Sequence, residues 1–136
     1  MTTGSGTTGS VNRTYDVLVI GSGIAGLTAA ITAAEHGAHV AVLSKEPLSE
    51  ESNTRYAQGG IVGRGVEDTP HLLEEDILAA GDYLNSRDAV ALVASEGPRL
   101  LEEFLIRRIG VAFDTAEDGS WDLTREAAHS VRRIVR

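Results

Sequence analysis

The sequence predicts an α/β fold whose front part is a β-strand, α-helix, β-strand (βαβ) unit. Residues 15–20 (YDVLVI) and 39–44 (HVAVLS) are short apolar runs, and the Ala-rich residues 24–36 lie between them. Such apolar runs are typical of strands buried on both faces, whereas an Ala-rich stretch is typical of a helix. Gly37 is the expected C-cap of that helix. Because a helix joins the two strands, they should pair in parallel.

The size and composition are those of one globular domain. The chain has 136 residues, of which 42% are hydrophobic, and it contains no cysteine, which excludes disulfides and thiolate metal sites. No apolar run approaches the roughly 20 residues that span a bilayer. Residues 1–14 are rich in Gly, Ser and Thr and lack the features of a signal peptide. We therefore expect a flexible tail over residues 1–14, one domain over residues 15–136, no membrane association and a cytoplasmic location.

The net charge of −8 is unevenly distributed along the chain. Its acidic body argues against a nucleic-acid partner. The last twelve residues are basic and predict either an anion-binding tail or, more commonly, a solvated helix face. They could also be a segment that meets acidic residues elsewhere in a longer protein. The arginines concerned are Arg125, Arg132, Arg133 and Arg136.

Behind the βαβ unit, residues 45–68 form a long loop rich in Gly, Ser, Asn and Glu, and loops of this length are usually functional or disordered. A helix should follow, with Asp68 or Thr69 as its N-cap, Pro70 at its first position and Gly81 as its end.

Residues 86–110 predict two helical stretches, which begin after Ser86, break near Gly97-Pro98 and stop at Gly110. Residues 111–124 predict a β-hairpin with its turn at Asp118-Gly119. The remaining residues, REAAHSVRRIVR, show no signal for a closing strand.

Three glycines give the pattern G-x-G-x-x-G between the first strand and the helix, as a Rossmann-like dinucleotide-binding unit requires. The first makes the tight turn, the second lets a pyrophosphate approach the backbone, and the third lets helix and strand pack closely. The helix N-terminus adds free N–H groups and a partial positive charge. The expected pyrophosphate contacts are Gly21, Ser22, Gly23, Ile24, Ala25 and Gly26.

This motif does not choose among NAD, NADP and FAD. Where an acid usually binds the ribose, the sequence has Ser44-Lys45. Ser44 could bond a ribose hydroxyl, and Lys45 could cover the adenosine side or bind the 2′-phosphate of NADP. Lys45 could equally be a solvated loop residue.

A second motif, SNTRYAQGG, resembles the flavoprotein family of L-aspartate oxidase, succinate dehydrogenase and fumarate reductase, in which this loop runs along the flavin. The resemblance implies FAD. Paired glycines permit φ > 0 and close approach to a flat ring, while amide and hydroxyl groups offer hydrogen bonds to its polar edges. The alternative is a Gly-rich surface loop without a binding function. The implied contacts are Ser52, Asn53, Thr54, Arg55, Tyr56, Ala57, Gln58, Gly59 and Gly60.

Two further features favour the L-aspartate oxidase branch. Asn53 stands where succinate dehydrogenases and many fumarate reductases carry a histidine bonded to the flavin, so the resemblance implies non-covalent FAD. LTREAAHSVRRI resembles that branch's pattern, with Ala127-Ala128 in place of two glycines. Glu126 then matches a glutamate that orients substrate, the alternative being a salt bridge with Arg125 or Arg132. His129 is at least as well explained as a structural histidine bonded to a backbone carbonyl.

The resemblance implies oxidation of L-aspartate to iminoaspartate, with hydride passing from Cα to flavin N5 and reoxidation by O2 or fumarate. Iminoaspartate would pass to quinolinate synthase on the route to NAD. Family members continue into further domains, so we expect an incomplete FAD/NAD(P)-binding domain that lacks oxidase activity by itself. The alternatives are a soluble, non-covalent fumarate reductase or succinate oxidase, and a non-catalytic nucleotide-binding fragment.

Overall fold

The computed structural model describes residues 12–47, 52–57 and 59–136, and the chain divides into two compact units, Met1–Gln58 and Gly59–Arg136. The first unit contains strand β1 (Val17–Ile20), helix α1 (Ile24–Glu35) and strand β2 (Val40–Leu43). The second contains strand β3 (Ile61–Val62), helices α2 (Pro70–Ala80) and α3 (Arg87–Leu100), a π-helical segment (Leu101–Ile109) and strand β4 (Ile134–Val135).

The first unit is the predicted βαβ arrangement. Strands β1 and β2 pair in parallel, with Val17 opposite Val40 and Ile20 opposite Leu43, and α1 packs on both strands. Gly37 follows the helix with φ +87°, a left-handed conformation that glycine adopts without strain. The predicted strand pairing and the glycine at the end of the helix are both confirmed.

The prediction that the first strand is buried on both faces is wrong. Leu18 is 61% exposed and Ile20 is 78% exposed, and Leu43 at the end of β2 is 57% exposed. Strand burial depends on neighbours in the sheet and on covering helices. In the part of the chain that the structure describes, β1 and β2 pair only with each other, so their outer edges stay open.

Helix α2 has the predicted ends. The Thr69 hydroxyl accepts a hydrogen bond from the Leu72 N–H at 3.1 Å, Pro70 occupies the first turn, where a missing N–H costs nothing, and Gly81 is the C-cap. Helices α2 and α3 pack together. The buried apolar side chains of the second unit are Leu73, Leu78, Val90, Ala94, Leu101, Ile134 and Val135.

The predicted break at Gly97-Pro98 is wrong, because α3 continues through it to Leu100. A proline inside a helix has no N–H for the carbonyl four residues earlier, here that of Ala94. Arg64 Nη2 donates a hydrogen bond to this Ala94 oxygen at 2.9 Å. A side chain distant in the sequence thus satisfies the acceptor that Pro98 leaves open, and the helix tolerates the proline.

After α3 the winding changes to a π-helix, in which residues five apart share a face. Arg107 Nε and Nη2 accordingly donate to Glu102 Oε1 at 3.2 and 3.1 Å. The segment ends at Gly110, which has φ +79°, as predicted. Among the described residues no helix is both long and apolar enough to cross a bilayer.

The predicted turn of the hairpin is present, but its arms are minimal. Gly119 has φ +82°, and the Ala116 N–H donates to the Ser120 carbonyl at 2.8 Å. The arms meet in one isolated antiparallel bridge, between Thr115 and Trp121, and do not form regular strands.

The expectation of no closing strand is also wrong. Strand β4 pairs antiparallel with β3, placing Ile61 opposite Val135 and Val62 opposite Ile134. The pairing continues irregularly where the Gly63 N–H donates to the Arg133 carbonyl at 2.7 Å. Two-residue strands are too short to show the alternation of apolar and polar residues from which strands are predicted.

The hydrogen bond from Arg64 to helix α3 can be tested by a double-mutant cycle. We expect Arg64→Met to lower the free energy of unfolding by about 1–3 kcal/mol, because it leaves a buried carbonyl without a donor. In a Pro98→Ala background the same substitution should cost less, since the N–H restored at position 98 serves that carbonyl. Denaturant unfolding of the four proteins measures the coupling.

Arg99→Met is the matched control, because Arg99 is an arginine of α3 itself and makes only exposed ion pairs, with Glu96 and Glu103. It should change stability by less than about 1 kcal/mol. Equal costs of Arg64→Met in both backgrounds would show that Arg64 does not compensate for the proline.

Candidate functional site

The glycine loop at the end of β1 has two positions that need glycine for different reasons. Gly21 has φ +110°, and its N–H donates to the Leu43 carbonyl at 2.8 Å. A Cβ on Gly26 would lie 2.6 Å from the Gly21 carbonyl oxygen, so only glycine allows this approach of helix and turn. A Cβ on Gly23 would meet only Thr54 Oγ1, at an ordinary 3.6 Å. Space is therefore left over Gly23 for a ligand.

The N-terminus of α1 provides donors and a partial positive charge. The first bond within the helix runs from the Leu27 N–H to the Gly23 carbonyl, at 3.0 Å, so the preceding amides have no helical acceptor. The Ile24 N–H donates to Thr54 Oγ1 at 3.0 Å, and no acidic residue lies in the first turn. Amides arranged in this way suit the phosphates of a dinucleotide.

Two serines tie the glycine loop to the end of β2. Ser44 Oγ donates to the Glu46 carbonyl at 2.6 Å, so the hydrogen bond of 3.1 Å between Ser44 Oγ and Ser22 Oγ must be donated by Ser22. Ser22 is buried, and Ser44 retains only acceptor capacity for a ribose hydroxyl. Lys45 lies exposed beyond β2, and its predicted role stays a prediction.

The second motif forms a turn in which Thr54 contacts the glycine loop. The Arg55 N–H donates to the Ser52 carbonyl at 3.1 Å and to Ser52 Oγ at 3.2 Å. The Arg55 guanidinium lies 5.9 Å from the ring centre of Tyr56, and Asn53 and Ala57 are exposed. Gln58 lies outside the described residues.

In the second unit, the Glu126 carboxylate lies against the backbone of Gly60. A Cβ on Gly60 would come within 3.4 Å of Glu126 Oε1 and 2.9 Å of Ile134 Cγ2, so glycine is needed there for space. At Gly59 a Cβ would meet nothing within 4 Å. The structure thus brings together the end of the second motif and the predicted substrate-orienting glutamate.

The ion-pair partner of Glu126 is Arg136. Arg136 Nη2 donates to Glu126 Oε1 at 2.9 Å, and both side chains are about half exposed. The structure therefore shows a salt bridge, as the alternative predicted, but its partner is Arg136 and the predicted partners Arg125 and Arg132 are wrong. The bond uses one carboxylate oxygen, which leaves Oε2 as a possible acceptor for a ligand.

Glu126 begins a tight turn that is closed by a hydrogen bond from the His129 N–H to the Glu126 carbonyl, at 2.9 Å. Ala127 in this turn has φ +28°. A left-handed conformation is costly for residues other than glycine. The turn therefore requires a positive φ at one of the two positions where the L-aspartate oxidase pattern has glycine. Alanine adopts this conformation with strain.

Sequence reasoning missed the most buried charge of the second unit, Arg133. It is completely buried, and its Nη2 donates to Asp68 Oδ1 at 2.8 Å while its Nη1 donates to Asp76 Oδ2 at 2.6 Å. Nη1 also lies 3.2 Å from His129 Nδ1. The basic end is thus no solvated helix face, and His129 bonds to an arginine and not to a backbone carbonyl. No local pattern distinguishes a buried arginine from an exposed one.

Asp76 also holds the turn through Ser130. The Ser130 N–H and Oγ donate to Asp76 Oδ2 at 2.8 and 2.9 Å. Partial burial by itself raises the pKa of Asp76, but the hydrogen bonds from Ser130 and Arg133 outweigh it and lower that pKa below its ordinary value. Asp76 is therefore well suited to stay ionised as a partner of Arg133.

An open cavity of about 980 Å³ lies beside this turn. Arg125 and Ser130, which flank the turn, belong to its lining, whereas Gly60, Glu126 and His129 do not. The cavity is therefore distinct from the contact between Glu126 and Gly60.

Comparison with known families identifies the cofactor of this domain. The family described as FAD binding domain matches residues 16–136. The chain belongs to this family. Its cofactor is FAD, and the predicted choice of FAD over NAD and NADP is confirmed.

The curated relatives of this FAD binding domain include L-aspartate oxidases. It is 44% identical over 128 residues to L-aspartate oxidase 2-b of Nicotiana tabacum, covering 93% of this chain and 19% of the relative. It is 45% identical over 122 residues to L-aspartate oxidase of Halobacterium salinarum, covering 90% of this chain and 23% of the relative. The predicted resemblance is confirmed, and the chain spans about a fifth of the length of these relatives.

Solved structures show the same fold. The Mycobacterium smegmatis Sdh1 complex in its apo form matches with a TM-score of 0.81 and 32% identity, covering 89% of this chain and 20% of that one. A point-mutant form of E. coli quinol fumarate reductase FrdA matches with a TM-score of 0.80 and 27% identity, covering 89% of this chain and 21% of that one. The predicted α/β fold is thus the fold of this flavoprotein family.

The glycine loop of the FAD binding domain predicts that two Gly→Ala substitutions affect different properties, one the stability and the other the affinity for FAD. Gly26→Ala should destabilise the protein by about 1–3 kcal/mol, because its methyl group would overlap the Gly21 carbonyl. Gly23→Ala should change stability by less than about 1 kcal/mol but weaken FAD binding at least tenfold, because the methyl group would fill the space in which the pyrophosphate is expected. Melting temperatures with and without FAD separate the two effects. Unchanged FAD affinity in Gly23→Ala would contradict this placement of the pyrophosphate.

The strained turn predicts that Ala127→Gly is stabilising. Glycine adopts φ +28° without strain, and the relief should exceed the entropy cost of glycine, for a gain of up to about 1 kcal/mol. Ala128→Gly is the control. Ala128 has no positive φ, so glycine there should cost about 0.4–1 kcal/mol. Equal losses at both positions in thermal unfolding would show that Ala127 is unstrained.

Proposed function

We propose that this chain, over residues 15–136, is the FAD-binding and substrate-orienting part of an enzyme that oxidises L-aspartate to iminoaspartate. The observation that carries the proposal is the position of the Glu126 carboxylate against Gly60, at the end of the second motif. The similarity to L-aspartate oxidases from plants, an archaeon and bacteria supports it.

The residues of the first unit fit a dinucleotide. In this proposal the amides at the N-terminus of α1 bind the pyrophosphate, and Ser44 and Lys45 lie on the adenosine side. Asn53 lacks a nucleophilic nitrogen, so the cofactor is held without a covalent bond. When bound, FAD would supply the redox chemistry of the proposed reaction, taking a hydride from substrate Cα at flavin N5 and passing the electrons to O2 or fumarate.

Glu126 selects an amino acid by charge. Arg136 bonds to Oε1, so Oε2 can accept a hydrogen bond from the ammonium group of aspartate. Succinate has a hydrogen atom where aspartate has its ammonium group, and so gains nothing from the carboxylate. A soluble fumarate reductase or succinate oxidase is the second candidate, favoured by the likeness to the fumarate reductase structure. Glu126 favours the oxidase, whose product would be used by quinolinate synthase.

A chimera tests this function. In it the present chain replaces the matched part of the Halobacterium salinarum relative, so that the remainder of an oxidase is present. We expect oxidation of L-aspartate with release of peroxide and no oxidation of succinate. Glu126→Gln should lower kcat/KM for aspartate about 10- to 100-fold, which corresponds to a hydrogen bond to a charged group of about 1.5–3 kcal/mol.

Glu117→Gln is the control, because Glu117 is exposed in the hairpin turn, and it should leave kcat/KM unchanged. A chimera that oxidises succinate and aspartate alike, or one whose aspartate activity survives Glu126→Gln, would exclude the proposed role of Glu126. The present chain alone should show a melting temperature that rises with FAD but not with NAD or NADP.

A further inference from the structure

The contact between Arg133 and His129 fixes which nitrogen of the histidine ring carries the proton. A guanidinium has only N–H donors and no acceptor. Arg133 Nη1 lies 3.2 Å from His129 Nδ1, so Nδ1 must accept this hydrogen bond through its lone pair. The ring is then neutral, with its single proton on Nε2.

The surroundings keep this arrangement in place. Arg133 is completely buried and pairs with Asp68, whose side chain is also fully buried, and with Asp76, whose side chain is 13% exposed. Ser130, the neighbour of His129, is held by two hydrogen bonds to Asp76. Protonation of Nδ1 would direct an N–H at a fixed guanidinium, which has no room to move away.

The charges of the cluster are already balanced without a charged histidine. Besides Arg133 and Asp68, the cluster contains Asp76, which pairs with Arg133, and Arg64, whose Nη1 lies 3.6 Å from Asp68 Oδ2. The charges of the two arginines and the two aspartates add up to zero. An imidazolium at His129 would add a positive charge beside Arg133. The carboxylates of the cluster are thus already paired with arginines, and the orientation of the His129 ring follows from the geometry of its contact with Arg133.

We propose that Arg133 is a positioning residue that holds His129 as the neutral Nε2–H tautomer, so that the Glu126 turn offers one anionic acceptor and one neutral donor. If this turn orients an amino acid, which rests on the proposed function, the ammonium group binds to Glu126. The Nε2–H of His129 then donates to a carboxylate oxygen of the same substrate. The combination suits a substrate that carries both an ammonium and a carboxylate group.

The tautomer can be observed directly by long-range 1H–15N correlation NMR on the 15N-labelled chain at pH 7. His36 is an internal reference, because its Nδ1 lies 2.8 Å from the Thr32 carbonyl and must donate to it. We expect the Nε2–H pattern for His129 and the Nδ1–H pattern for His36. An Nδ1–H pattern, an imidazolium, or the averaged tautomers of a free imidazole at His129 would each overturn the proposal.

The donor role is tested by two variants of the chimera. In His129→Asn the side-chain oxygen can replace Nδ1 as acceptor for Arg133, but no group reaches the position of Nε2. In His129→Gln the amide N–H reaches the position of Nε2. We expect KM for aspartate to rise about tenfold in His129→Asn, which corresponds to about 1.4 kcal/mol, and clearly less in His129→Gln.

The NMR experiment and the chimera experiments can fail independently of each other. If His129 shows the Nε2–H pattern but the chimera does not oxidise aspartate, the proposed function is wrong and the tautomer assignment stands. If the chimera oxidises aspartate and His129→Asn and His129→Gln have the same KM as the unmodified chimera, the donor role is wrong. A melting temperature for His129→Asn close to that of the unmodified protein verifies that any loss is not a loss of folding.

Discussion

The buried guanidinium of Arg133 is the interaction on which the second unit depends. A charge removed from water is destabilising unless it is paired and hydrogen-bonded. Asp68 lies just before helix α2, Asp76 lies within it, and Arg133 directly precedes β4, so the pairing requires all of these segments to be in place together. The same arginine bonds to His129. The turn that begins at Glu126 is therefore attached to a helix and a strand, although it has no regular structure of its own.

A second arginine connects helix α3 to this network. Arg64 donates to the carbonyl that Pro98 leaves without a partner, and it also lies 3.6 Å from Asp68. Asp68 thus faces both arginines. The carboxylate of Asp68 therefore contacts both the arginine that compensates for Pro98 in α3 and the arginine that supports the candidate substrate site. A change at Asp68 acts on both.

The sequence predicted the features that local residues determine. The caps at Thr69, Gly81 and Gly110 and the turn at Gly119 follow from conformations and hydrogen bonds within a few residues. The glycine loop was predictable for the same reason. The features that were missed depend on partners far along the chain: the continuation of α3 through Pro98, the pairing of β3 with β4, and the open edge of β1. Arg133 and Arg136 were missed because composition does not reveal which arginine pairs with which acid.

A carboxylate that distinguishes an ammonium group from a hydrogen atom on the same carbon must have a fixed position, because electrostatic energy falls off with distance and is weakened by solvent. Glu126 is about half exposed, so burial does not fix it. Its position is set by the packing against Gly60, the bond from Arg136 and the strained turn to His129. The strain at Ala127 is sustained because Asp76 and Arg133 hold the far end of the turn. In this structure the buried charges therefore act on the candidate site indirectly, by holding the surface turn that carries Glu126.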